Sequence, residues 1–99
     1  MSRELEVAWA RSERMVGRSV ADEFVLVPLR DRAADIDAIY NLNRVAAFIW
    51  ERCDGRTPGH EVVRAIVERF CVEKEEAAAD YLRLVQQLRS IEALVEAPR

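Results

Sequence analysis

The chain is poor in the residues from which most catalytic and metal-binding motifs are built. Among its 99 residues are one histidine, two cysteines, three glycines and a single lysine. His60, Cys53 and Cys71 are the only soft ligands, and their spacing matches no paired C-x₂-C unit, so no metal site and no cofactor are expected. With one histidine, any nucleophile–base arrangement would have to converge on His60. No G-x-S-x-G, H-E-x-x-H or glycine-rich phosphate loop is present, and no enzymatic activity is expected. Two cysteines are too few for a disulfide framework and read as reduced thiols. No apolar run approaches the roughly 18–20 residues of a membrane span. Met1 to Ala10 carries Arg3, Glu4 and Glu6 and has no apolar core of a signal peptide, so a cytoplasmic location with no membrane partner is expected. Lys74 is the sole lysine, and 15 basic against 18 acidic side chains leave a net charge of −3, without the basic excess that non-specific nucleic-acid binding draws on.

What is present suits one small globular domain. An apolar share of 51% supplies a core, and charged residues at 33% keep its surface wet. Residues 1–13 are charged and weakly patterned and read as a flexible or helical arm, with Leu5 and Trp9 four apart on one helical face. The domain proper is expected over 14–96. Met15 to Val20 alternates, Phe24 to Leu29 is apolar at strand length, and Asp22-Glu23 between them reads as the turn of a hairpin. A polar connection, Arg30 to Asp35, leads to a third strand, Ile36 to Leu42. There Ala38, Tyr40 and Leu42 form the core face, and Asp37, Ile39 and Asn41 point the other way.

Asn43 ends that strand and is placed to cap a helix from Arg44 to Cys53, stopped at Asp54-Gly55. Thr57 as N-cap with Pro58 in the first position marks a second helix, whose inward stripe is Val62, Val63, Ile66, Val67 and Phe70. A third begins near Glu73 and reaches Ser90, with Ala77, Ala78, Tyr81, Leu84, Val85 and Leu88 facing inward and Leu82 on the flank. Leu94-Val95 is a final short extended segment. Three N-terminal strands followed by three helices indicate an α+β domain, winged helix-turn-helix-like.

Taken in order, Tyr40-x-Leu42-Asn43, Ala46-x-x-Ile49-Trp50, Asp54-Gly55, Thr57, Glu61-Val62-Val63 and Asp80-Tyr81-x-x-Leu84-Val85-x-x-Leu88 resemble the PqqD family. Its members are peptide chaperones of pyrroloquinoline quinone biosynthesis, and the same domain is a recognition element for other ribosomally made, modified peptides. The resemblance spans about residues 14–96. One departure is Thr57-Pro58-Gly59-His60, a residue longer than the usual entry to the second helix. The resemblance implies that the leader of a precursor peptide adds as an extra strand along Ile36, Asp37, Ala38, Ile39, Tyr40, Asn41 and Leu42. It also implies a groove wall on the third helix at Tyr81, Leu82 and Val85. Arg89 and Arg83 on that helix are candidates to pair with acidic leader residues, although a charge on a helix is usually a solvated face. The implied partners are that precursor peptide and a modifying enzyme, of the radical S-adenosylmethionine type in the quinone pathway.

A winged-helix DNA-binding regulator is the alternative. Glu73, Glu75, Glu76 and Asp80 at the start of the third helix would repel phosphates and argue against it. A homodimer through the strand edge is also open.

Overall fold

The computed structural model describes residues 3–29 and 40–97. The expected connection Arg30 to Asp35 and the first four residues of the expected docking strand, Ile36 to Ile39, lie outside the described residues.

Alternation over Met15 to Pro28 produces a hairpin, β2 (Met15–Val20) with β3 (Glu23–Pro28), in register from Met15 opposite Pro28 to Val20 opposite Glu23. β4 (Tyr40–Leu42) pairs antiparallel with the other side of β3, so the sheet order is β2-β3-β4. The inner face carries Gly17, Leu26 and Tyr40 in one cross-strand row and Ser19, Phe24 and Leu42 in the next. Leu26, at the centre, has no exposed surface. Gly17 is required for space: a Cβ there would lie 2.6 Å from the Phe24 ring and 2.7 Å from Trp50 Nε1. The turn is Ala21-Asp22, one residue earlier than the expected Asp22-Glu23, because Glu23 already pairs with Val20. Ala21 takes the left-handed position, with φ 56°.

The helices are α1 (Arg44–Arg52), α2 (Gly59–Phe70) and α3 (Lys74–Ser90). Each buries the stripe its periodicity predicts: Ile49 and Trp50; Val62, Val63 and Ile66; Ala77, Tyr81, Leu84, Val85 and Leu88. Cys53 is buried just past α1, and that desolvation, only partly offset by Arg11, pushes its thiol up to about 12. Such a thiol is inert at neutral pH.

The expected start of α2 needs correction. Thr57 does not cap the helix; Pro58 occupies the N-cap position and Gly59 the first turn. Asp54 holds Thr57 instead, accepting the amide hydrogens of Arg56 and Thr57 at 2.9 and 2.8 Å and the Thr57 hydroxyl at 3.1 Å. Those bonds hold the Asp54 carboxyl below its ordinary range. A carboxyl depressed in the folded state stabilises it above the unfolded value, and this contribution is lost as pH falls.

The N-terminal segment is integral to the fold rather than a free arm. It forms a 3₁₀ turn (Arg3–Leu5) and β1 (Trp9–Arg11), which pairs antiparallel with the final strand β5 (Leu94–Glu96). Trp9 is 2% exposed. On its other side β1 meets the end of α1: the Arg11 amide donates to Cys53 O at 3.1 Å, and that of Gly55 to Trp9 O at 2.9 Å. Arg3 and Glu96 form an ion pair across the two termini.

Two substitutions test this packing with opposite signs. Gly59→Ala should lose about 1–3 kcal/mol in urea unfolding despite the better helix propensity of alanine. The added methyl would sit 2.6 Å from the Glu4 carbonyl oxygen and 2.8 Å from the Tyr81 ring. Ala21→Gly should gain about 1 kcal/mol in the same assay by relieving the left-handed alanine.

Candidate functional site

β4 ends its sheet among the described residues, so one of its two backbone edges is paired with β3 and the other has no partner among them. Unpaired strand edges offer a row of amide hydrogens and carbonyls to an incoming chain. The edge is held in position by its connection to α1, which consists of Asn43 alone. Asn43 has extended backbone (φ −72°, ψ 179°), and its side-chain oxygen accepts the Ala46 amide hydrogen at 2.8 Å. Its carbonyl accepts the Ala47 amide hydrogen at the same distance. The cap thus turns the chain from strand to helix within one residue.

Beyond β4, the start of α1 and the middle of α3 enclose a groove of about 260 Å³. Leu42, Val45, Ala46, Ile49 and Leu84 supply its apolar surface. Its polar rim is Asn41, Asn43, Asp80, Arg83 and Gln87. Arg83 and Asp80 pair at 3.2 Å on the α3 wall, both with exposed side chains, so the pair adds little stability and both groups can exchange partners. Asn41, Leu42 and Asn43 also line a second hollow of about 590 Å³ toward the β2–β3 turn, so the space along the strand continues past its end. Nothing in the groove is a nucleophile beside a base, and no cluster of potential metal ligands occurs among the described residues.

Of the expected site residues, Tyr40, Asn41 and Leu42 form the described part of the edge strand, and Asn41 and Leu42 line the groove. The α3 residues fall differently. Tyr81 and Val85 have no exposed surface and belong to the core; burial also pushes the Tyr81 hydroxyl well above the ordinary tyrosine range. Arg89 serves the N-terminal segment, with its guanidinium 4.6 Å from the Trp9 ring centroid and 3.8 Å from a Glu4 carboxylate oxygen. Leu82, seven residues earlier, shares that face of the helix and is half-buried.

The groove wall is the opposite flank, at Asp80, Arg83, Leu84 and Gln87. A helix has two flanks beside its buried stripe, and periodicity does not say which one faces a given strand. Of this flank only Arg83 was singled out from the sequence; Asp80 and Gln87, three and four residues from it, read as a solvated surface.

Comparison with known proteins bears on the whole fold. No curated protein matches the chain. Two solved structures share its fold. One is TbiB1 in complex with the TbiA(beta) leader peptide, 24% identical with a TM-score of 0.70, over 86% of this chain and 93% of that one. The other is lasso peptide synthetase B1 complexed with the leader peptide, 19% identical with a TM-score of 0.74, over 89% of this chain and 98% of that one. Residues 23–94, from β3 to the start of β5, match the family model of coenzyme PQQ synthesis protein D. With most of its length matched, including the edge strand's described residues and all three helices, the chain belongs to the PqqD family.

Proposed function

We propose that this chain binds the leader segment of a ribosomally made precursor peptide and presents it to a modifying enzyme, without chemistry of its own. The observation that carries the reading is the unpaired edge of β4 facing α3 across an apolar-floored groove. The two structures of similar fold were both solved with leader peptides, which supports leader binding here.

In this mechanism the leader adds as a strand along Tyr40 to Leu42. Main-chain hydrogen bonds fix its direction, and every second side chain drops between β4 and α3. Hydrogen bonds contribute about 0.5–1.5 kcal/mol each, so three or four of them, roughly 1.5–6 kcal/mol, offset only the low end of an association cost of about 4–15 kcal/mol. The apolar floor at Leu42, Val45, Ala46 and Leu84 therefore supplies the remainder, and Asn41, Asp80, Arg83 and Gln87 select among side chains at the rim. Tyr81 and Val85 act from the core by holding α3 at its distance from the strand. The modifying enzyme is of the radical S-adenosylmethionine type if the pathway is that of the quinone, and the setting is cytoplasmic. No helix among the described residues is long and apolar enough to cross a membrane.

DNA recognition is the weaker reading. The first turn of α3 carries Glu75 and Glu76, and the groove offers a single cation, Arg83, beside the Asp80 carboxylate.

A decisive variant is Ala46→Glu. Position 46 is the third residue of α1 behind the Asn43 cap, where glutamate favours the helix, so the fold is preserved. The charge enters the groove floor and should weaken binding of the cognate leader peptide about tenfold or more by calorimetry, with unchanged urea stability. Undiminished affinity would place the peptide elsewhere. Duplex binding that weakens steeply with salt would instead favour the DNA reading.

A further inference from the structure

A second surface, on the α1–α2 side, takes no part in the peptide groove. Phe48 and Phe70 meet edge to face there, with centroids 5.3 Å apart and ring planes at 84°. Both are only half-buried. Each ring is covered by a guanidinium, Arg52 at 4.3 Å from the Phe48 centroid and Arg69 at 5.4 Å from that of Phe70. Along α2, Val63, Val67 and Phe70 form an apolar row at helical spacing. Val63 and Val67 floor a hollow of about 290 Å³, and the rest of its lining is His60, Arg64 and Lys74.

The lining of this hollow carries two cations, Arg64 and Lys74, and no carboxylate. Arg52, Arg64, Arg69 and Lys74 form no ion pair among the described residues. Glu61 and Glu68 lie further round α2, and Glu73, Glu75 and Glu76 flank Lys74 in sequence, but none of them pairs with the four. A guanidinium over a ring has lost water from that face but keeps N–H groups for an acceptor such as a carboxylate. A lone arginine on a helix is ordinary solvated surface. Four cations without ion pairs around Phe48, Val67 and Phe70, all half-buried, have instead the composition of an interface centre.

We infer that this face docks an acidic amphipathic helix of a partner protein. The partner's apolar residues, three and four apart, lie along Val63, Val67 and Phe70, and its carboxylates reach Arg52, Arg64, Arg69 and Lys74. The surface stands apart from the groove, whose lining includes neither Phe48 nor Arg52 nor any residue of α2. The chain can then hold a peptide on one side and a second protein on another. The inference does not depend on what the groove binds.

The test uses the full chain, isotopically labelled, with three probes. These are a helical peptide bearing leucines three and four apart flanked by glutamates, the same peptide flanked by lysines, and phosphatidylglycerol vesicles. The glutamate peptide should shift amides in 48–52 and 63–70 while leaving 41–46 and 80–87 in place. The exposed double variant Arg64→Glu/Arg69→Glu, with an intact amide spectrum, should weaken that binding about tenfold or more. Equal binding of the lysine peptide, shifts confined to the β4–α3 groove, or displacement of the peptide by vesicles would overturn it.

Discussion

The side-chain oxygen of Asn43 accepts the Ala46 amide hydrogen while its backbone stays extended, and on this pair of conditions the geometry of the candidate site depends. A longer connection between β4 and α1 would let the strand edge and the helix drift relative to each other. With one residue between them, Leu42 of the strand and Val45, Ala46 and Ile49 of the helix become parts of a single surface. The edge of β4 away from β3 is therefore presented at a set distance from a floor that belongs mostly to another element.

The other wall is set from further away. α3 is positioned by Tyr81, Val85 and Leu88 in the core and by the N-terminal segment packed against it. Trp9 is buried and lies under Arg89, β1 is paired with β5 on one side, and the end of α1 bonds to the other. Gly59 lets α2 begin directly against the Glu4 carbonyl and the Tyr81 ring. Residues 3–11 thus tie the ends of all three helices together. The groove inherits its width from contacts on the far side of the molecule.

Much of this was legible in the sequence, for reasons that differ by element. The inward stripes of α2 and α3 appeared where expected because a 3.6-residue period of valine, isoleucine and leucine leaves no other face to bury. Asn43 was legible as a cap because an amide side chain between a strand and an apolar helix has few other uses. The role of Trp9 was not, since a three-residue strand pairing with a segment more than 80 residues away leaves almost no local pattern. The turn at Ala21 departed from expectation because alanine carries no signal for a left-handed position. At the site, the edge strand was legible from its apolar run and family resemblance. Of its facing wall only Arg83 was singled out, because Asp80 and Gln87 look like any exposed helix row until the strand stands opposite them.

The central claim is that β4 accepts a further strand from a leader peptide. Isotope-filtered NMR of the chain bound to its cognate leader tests this most directly, through cross-strand contacts between backbone protons of the two molecules. The account predicts such contacts to Asn41 and its neighbours in β4, with side-chain contacts from alternate peptide residues to Ala46 and Leu84. A bound peptide without backbone contacts to residues 40–42, or one paired along β2 instead, would contradict it.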